Sequence, residues 1–347
     1  MVGTLLAKLR KMFLLNYKLK KALYYILCTP IFTHSSLYKY FYTNYVKKKI
    51  PALEKKPLFV IIENTNICNL SCIFCANEQM KRKKDFISEE LFVSIIKQCV
   101  KYGIPNVLIQ GFGEPLLDKD YVKKVQYAKN EGVPLVHCVT NGTLLFNEVS
   151  EELIKAGLDY LYISVDAATD QTYGNIHRVP IKGHPSDKFH TVIKNIDDLI
   201  DLRKRYHSKK PFIEVRFKDF EVNRHELLIF MKKFSSRVDN VNIYMNIFNW
   251  PGSPIKNNLP PRTLLRFPCY SLWSTLYVTY DGRVSLCCQD YECRIEVGDI
   301  RYQSLMEIWR GERLKKIRAL HLKNRYNEIT VCTDCVINSH IVNPWWQ

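Results

Sequence analysis

The chain has 347 residues, 12 cysteines and a formal net charge of +17, long enough to bury a sizeable core and to divide into one large and one small unit. Cysteines this sparse and this clustered exclude a disulfide-stapled secreted scaffold, and their close spacings favour metal binding in a reducing, cytoplasmic compartment. The charge is lopsided, because residues 1–56 hold twelve Lys and Arg against one acid, Glu54, which places +11 of the +17 in the first sixth of the chain.

That first stretch also carries an apolar run from Ala22 to Phe32, broken by Pro30, and a patch of Tyr38, Tyr40, Tyr42 and Tyr45. The run is shorter than the roughly 20 residues a spanning helix needs. Basic residues on both sides and the lack of a small-residue cleavage site fit a signal peptide poorly. Three readings stand, in this order: helices lying on an anionic membrane surface, a helical extension packed on the main body, and a nucleic-acid arm. The expectation is a cytoplasmic protein, peripheral at the inner face of the membrane through residues 1–56.

Leu58 to Asn64 is an apolar run that reads as a strand, and it leads into Cys68-Asn69-Leu70-Ser71-Cys72-Ile73-Phe74-Cys75. Three thiolates at this spacing can hold three irons of a [4Fe-4S] cluster and leave the fourth iron open to a small molecule. The alternative is a zinc loop, which wants a fourth ligand nearby; His137 and Cys99 are poorly placed for that. Next comes a helix over Ser88 to Tyr102, with Ser88 as N-cap. The pattern continues with a strand over Asn106 to Gln110, a helix over Tyr121 to Glu131, a strand over Leu135 to Thr140, a helix over Ser150 to Ala156 and a strand over Asp159 to Val165. A long loop, a helix over Phe189 to Tyr206, a strand over Phe212 to Phe217, a helix over Arg224 to Ser235 and a strand over Val241 to Ile247 complete six strand-helix units. Such alternation predicts a parallel sheet with helices outside, and parallel folds place ligands at the carboxyl ends of their strands.

Four short motifs fall at those ends. Strand one runs into the cysteine loop, and strand two into Gly111-Phe112-Gly113-Glu114-Pro115, whose glycines are expected to let backbone groups approach a ligand. Strand three ends in Thr140-Asn141-Gly142 and strand four in Ser164-Val165-Asp166. Each alone is an ordinary turn; their order is what carries information. With Phe74 directly before the last cysteine, this succession over residues 58 to about 250 resembles the radical S-adenosylmethionine (SAM) superfamily. The resemblance implies a partial (β/α)6 barrel, a [4Fe-4S] cluster held by Cys68, Cys72 and Cys75, and SAM on the open iron, cleaved to a 5'-deoxyadenosyl radical. It also implies SAM contacts from Phe74, Gly111, Gly113, Glu114, Pro115, Asn141, Ser164 and Asp166, and an electron donor such as flavodoxin or ferredoxin. Arg178 is the candidate for the SAM carboxylate, since a guanidinium matches a carboxylate at two points, and Arg216 is its rival.

The alternation stops after Pro251-Gly252, which sets expected boundaries at 1–56, 57–250 and 251–347. The last unit holds Cys269, a strand over Thr275 to Thr279, the turn Asp281-Gly282, a strand over Arg283 to Cys288, a helix over Ser304 to His321, and Cys332-Thr333-Asp334-Cys335. Asp-Gly between β-rich runs is a strong hairpin signal. Folding back, this unit would bring Cys269, Cys287, Cys332 and Cys335 together as a four-thiolate site, which by itself suits structural zinc. It resembles the SPASM and twitch domains of many radical SAM enzymes, and that reading makes it one auxiliary [4Fe-4S] cluster. Cys288 is the rival of Cys287; Cys28, Cys99, Cys138, Cys288 and Cys293 remain, of which Cys138 or Cys288 is a candidate hydrogen-atom donor. The fold class is α/β: a radical SAM partial barrel, a small C-terminal SPASM/twitch domain and a basic helical N-terminal extension. The implied activity is hydrogen abstraction with oxidation of an alcohol on a small-molecule, sugar-like or glycan-linked substrate. A peptide-modifying enzyme is the alternative, and a zinc-stabilised nucleic-acid binder ranks last.

Overall fold

The computed structural model describes residues 50–178, 185–245, 268–333 and 335, with 44 and 48 as isolated positions. The expectations for residues 1–43, including Cys28 and the lipid-facing reading of the basic stretch, lie outside the described residues. Among the described residues no helix is long and apolar enough to cross a membrane.

Six parallel strands form the body, β1 (Phe59–Ile62), β3 (Asn106–Ile109), β4 (Leu135–Thr140), β5 (Tyr160–Ser164), β7 (Phe212–Asp219) and β8 (Asn240–Met245), each hydrogen-bonded to the next. The remaining pair, β2 (Ser71–Cys72) and β6 (His177–Arg178), makes a separate two-stranded ribbon. Helices α1 (Glu89–Lys101), α2 (Tyr121–Asn130), α3 (Asn147–Lys155), α4 (Asp170–Ile176), α5 (Pro185–Arg205) and α6 (Leu227–Phe234) fall between the strands. Alternation along the strands decides the two faces. Val60, Ile62, Val107, Ile109, Val136, Leu161, Ile163, Ile213, Val215 and Phe217 are fully buried in the main core with the helices. The intervening residues, such as Ile61, Tyr160, Tyr162, Arg216 and Lys218, point the other way and are only half-buried.

The described helices begin and stop where local chemistry requires. Ser88 Oγ accepts from Leu91 N at 3.2 Å to cap α1, and Gly132, at φ +97°, follows α2 in a conformation that a side chain disfavours. Helix α3 starts three residues earlier than its apolar periodicity suggests. The expected helix over Ser304 to His321 is two, α7 having been spent on Ser271–Ser274: α8 (Leu305–Trp309), closed at its start by a Ser304–Glu307 capping box, and α9 (Glu312–Leu322). Gly311 separates them, and a Cβ there would stand 3.0 Å from Glu307 O.

The C-terminal unit continues the barrel sheet, which the sequence did not suggest. Strand β9 (Thr275–Val278) pairs parallel with β1, β10 (Arg283–Ser285) turns back on β9 as the Asp281-Gly282 signal predicts, and β11 (Glu296–Asp299) follows. One nine-stranded sheet results, in the order β11-β10-β9-β1-β3-β4-β5-β7-β8. Glu63, one residue beyond β1, locks the junction. Its fully buried carboxylate accepts from both terminal nitrogens of Arg82 at 2.8 and 2.9 Å, from Tyr277 OH at 3.1 Å, from Tyr280 N at 3.3 Å and from Phe112 N at 3.4 Å. Removing one partner of a buried ion pair leaves the other uncompensated, at a cost of about 3–5 kcal/mol. Arg82→Met should therefore lower the chemical-denaturation midpoint strongly, whereas Glu63→Gln with Arg82→Met should recover part of the loss.

Candidate active site

The loops leaving β1, β3 and β4 are tied into one assembly. Glu114 N donates to Ile67 O at 2.9 Å, Asn77 Nδ2 donates to Asn66 O and Phe112 O at 2.7 and 2.8 Å, and Asn141 Nδ2 donates to Asn69 Oδ1 at 2.9 Å. The glycine motif also meets a packing requirement. A Cβ on Gly111 would lie 2.2 Å from Glu63 Cγ, and one on Gly113 2.4 Å from Ile67 O, so neither position has room for a side chain beside the chain that follows β1. Pro115 is buried, and its carbonyl accepts from Asn64 Nδ2 at 3.1 Å.

The cysteine loop pairs with the segment after β5. Ribbon β2–β6 sets Ser71 opposite Arg178 and Cys72 opposite His177. As a result Cys72, Cys75, Glu78, Gln79 and Arg178 line a cavity of about 350 Å3. Arg178 thus sits beside the thiols, while Arg216 lies on the inner face of β7 and does not line this cavity. Burial raises all three thiols: Cys68 to about 12, with Glu114 adding to the effect, and Cys72 and Cys75 upward as well. The sulfurs of Cys68 and Cys75 also act on Cys72, which shows that the three share one space. Among the described residues no three His, Cys, Asp or Glu side chains close around a single metal ion.

Three neighbours of the loop went unread in the sequence. His177, 1% exposed, has Nε2 3.0 Å from Val165 O and Nδ1 3.0 Å from Cys72 Sγ. A carbonyl only accepts, so Nε2 carries the hydrogen; burial depresses the ring to about 4, so Nδ1 receives the Cys72 thiol proton in a hydrogen bond. Lys218 Nζ stands 3.0 Å from Asp166 Oδ2 and 4.8 Å from the centre of the Phe74 ring. Phe74 stacks on Phe220 with ring centres 4.9 Å apart. Asp166 is fully buried at φ +58°, held by Lys218 N at 2.6 Å and, through its carbonyl, by Asn223 Nδ2 at 2.7 Å. Ser164 Oγ is 3.5 Å from Lys218 Nζ. The available signals were position and period: His177 adjoins Arg178, and Lys218 falls two residues after Arg216 on the same face.

Two of the other cysteines are core residues. Cys99 and Cys138 are fully buried in the main core, Cys138 against Tyr121, and neither reaches the cavity. His137 stacks on Tyr160 at 4.6 Å and engages Tyr162 OH and Asn106 Oδ1, each at 3.0 Å. In the C-terminal unit burial raises the thiols of Cys269, Cys287 and Cys288, and the nearby Cys335 adds to the effect at all three. Cys332 lies just before, its carbonyl accepting from Cys335 N at 3.3 Å. Cys288 also packs beside the group formed by Ala76, Met80, Phe112, Tyr277 and Tyr291, so proximity alone does not separate it from Cys287.

The radical SAM superfamily model matches residues 62–209, and the SPASM iron-sulfur cluster-binding domain matches residues 269–336. The chain belongs to the radical SAM superfamily and carries a C-terminal SPASM domain. It is 35% identical over 116 residues to a probable GTP 3',8-cyclase of Methanocaldococcus jannaschii, covering 33% of this chain and 38% of that one. A second probable GTP 3',8-cyclase, of Saccharolobus solfataricus, is 35% identical over 138 residues, covering 40% of this chain and 42% of that one. The chain therefore spans about two fifths of these curated relatives. Among solved structures, BtrN in complex with AdoMet and 2-DOIA aligns with a TM-score of 0.54 at 15% identity over 83% of this chain and 98% of BtrN. SuiB of Streptococcus suis bound to S-adenosylmethionine gives 0.61 at 14% identity over 80% and 72%. The fold is that of radical SAM proteins, and the family's cofactors are a [4Fe-4S] cluster, SAM and auxiliary iron-sulfur clusters in the SPASM domain. The donor set fits: Cys72 and Cys75 line one cavity with a guanidinium at its wall, and Cys68 stands near enough to Cys72 to raise it.

Glu114 gives a pH test. Thr140 Oγ1, Asn141 N and Leu116 N donate to its carboxylate at 2.6, 2.8 and 3.1 Å, yet burial outweighs them and raises it to about 7. The folded chain then holds a proton that the unfolded chain releases near pH 4.5. This contribution to stability is complete below that pH and is lost as pH rises to about 7. In the cluster-free protein, Glu114→Gln should flatten the fall in stability between these values, read from denaturant midpoints.

Proposed function

We propose that the chain is a radical SAM enzyme in which Cys68, Cys72 and Cys75 hold the catalytic [4Fe-4S] cluster and Arg178 binds the SAM carboxylate. The observation that carries this reading is the β2–β6 register, which sets Arg178 opposite Ser71 at the wall of the cavity lined by Cys72 and Cys75. When bound, the cluster and SAM supply an electron and a 5'-deoxyadenosyl radical. The protein's own part is to bind and orient. Glu114 and the backbone of Gly111 to Gly113 face the SAM amino group, Phe74 and Pro115 shape the walls, and Asn141, Ser164 and Asp166 bracket the nucleoside. Cys269, Cys287, Cys332 and Cys335 hold the auxiliary cluster. Residues 57–250 form the barrel and residues 251–347 the auxiliary unit.

The reaction we infer is oxidation of an alcohol carbon on a small, sugar-like or glycan-linked substrate, with the auxiliary site accepting an electron and a flavodoxin- or ferredoxin-like donor starting the cycle. Support comes from the half-buried polar groups on the inner face of the barrel, Tyr160, Tyr162, Arg216 and Lys218, and from the alignment with nearly the whole of BtrN, solved in complex with AdoMet and 2-DOIA. A peptide substrate is the second reading, favoured by the likeness to SuiB bound to its precursor peptide, at a TM-score of 0.60. We also propose a cytoplasmic protein whose basic residues 1–56 are attracted to an anionic membrane surface, a reading supported by their +11 charge.

Anaerobically reconstituted protein should hold about eight irons, and replacing Cys68, Cys72 and Cys75 with alanine should remove about half and abolish 5'-deoxyadenosine formation. An unchanged iron count would defeat the assignment. A candidate sugar alcohol deuterated at its carbinol carbon should pass deuterium into 5'-deoxyadenosine and yield a ketone. Deuterium returned to the product without a ketone would replace oxidation by epimerisation.

A further inference from the structure

A closed barrel fills its interior with packed apolar side chains, but the inner face here mixes apolar residues such as Ile61 and Leu108 with Tyr160, Tyr162, Arg216 and Lys218, all only half-buried. Its centre is Arg216. The guanidinium lies 3.8 Å from the centre of the Tyr162 ring and 5.6 Å from that of Tyr244, a stack between β5 and β8. Its Nε donates to Glu214 Oε1 at 2.8 Å. Glu214 is further held by Asn240 Nδ2 at 2.6 Å and Asn242 Nδ2 at 3.3 Å, so its carboxylate is saturated from its own floor layer. No group among the described residues accepts from the two terminal nitrogens of Arg216, and neither is a sealed, unsatisfied atom. The side chain keeps 19% of its surface exposed.

We infer that Arg216, steadied between Tyr162 and Tyr244, is the anchor of a substrate subsite inside the barrel, and that it takes an oxyanion, a phosphate or a carboxylate carried by the substrate. The inference rests on the reading of the chain as a radical SAM enzyme and names the substrate class of that same barrel. Depth separates this subsite from the cofactor cavity. Arg216 is two residues below Lys218 on one face of β7, about 7 Å deeper at the rise of a strand, and Lys218 already stands at Phe74 beside the thiols. Chemistry separates it from a plain structural pair. A guanidinium that serves only to neutralise its partner spends its forked edge on it, whereas here one nitrogen holds Glu214 and the two that match an oxyanion meet no acceptor among the described residues. The tyrosine faces fix the plane of the fork, so little order is lost when the anion arrives.

The test uses the full chain reconstituted with iron and sulfide, and reads thermal midpoints with inorganic phosphate, malonate or glycerol at matched ionic strength. At least one of the two anions should raise the midpoint of the wild type while glycerol does not, and the anion that acts identifies phosphate or carboxylate as the group recognised. Arg216→Gln should abolish that shift yet keep the shift produced by SAM, and Arg216→Lys should retain part of the anion shift. If Arg216→Gln does not fold because Glu214 loses its partner, Arg216→Gln with Glu214→Gln removes both charges and answers the same question. An equal anion shift in wild type and variant would place the anion elsewhere on this basic protein and overturn the inference, as would no shift with either anion. 5'-Deoxyadenosine is measured on the same samples. Its absence from the wild type refutes the enzyme reading, while the anion shift still decides the subsite.

Discussion

Glu63 is the constraint on which the arrangement depends. A carboxylate buried at the end of the first strand must be surrounded by donors, and its five come from three separate pieces of chain: Arg82 beyond the cysteine loop, Phe112 in the glycine loop, and Tyr277 and Tyr280 of the C-terminal unit. Meeting that demand fixes the exit of the cysteine loop, the height of the glycine loop and the docking of β9 onto β1 at once. It also explains Gly111, whose missing side chain leaves room for Glu63 itself. One buried side chain thereby ties together the two regions in which the thiols collect.

The second constraint is electrostatic. Three thiols are held in a space where burial opposes their ionisation, and a cation arriving there must displace their protons. The surroundings suit that exchange: Lys218 acts in the opposite sense to burial at Cys72 and Cys75, and His177 presents Nδ1 to Cys72. The ribbon that brings His177 there also delivers Arg178 to the cavity. The cysteine loop and the Arg178 wall of the cavity are therefore one local structure, although more than a hundred residues of chain separate them.

Local signals made much of this legible. Apolar runs alternating with helical stretches predicted the six parallel strands, Ser88 the start of α1, and Asp281-Gly282 the β9–β10 turn, because each depends on chain neighbours alone. Contacts across the sequence were not legible. Nothing near Glu63 announces Arg82 and Tyr277 as its partners, and nothing in Thr275–Val278 announces that it will extend the barrel sheet through β1. Nor does the sequence show that Glu63 and Ile67 occupy the space a side chain at Gly111 or Gly113 would need. Cys138 looked reactive at the end of a strand, but the parity of β4 turns it into the core with Tyr121.

The central claim is that the loop of Cys68, Cys72 and Cys75 holds a cluster with one iron open to SAM. The most direct measurement is electron-nuclear double resonance on the reduced, reconstituted protein with SAM labelled with 15N at its amino group. The account predicts a hyperfine coupling between that nitrogen and a reduced [4Fe-4S] centre, lost when Cys72 is replaced by alanine. A reduced cluster signal that shows no coupling to the labelled nitrogen, or a coupling that survives Cys72→Ala, would contradict it.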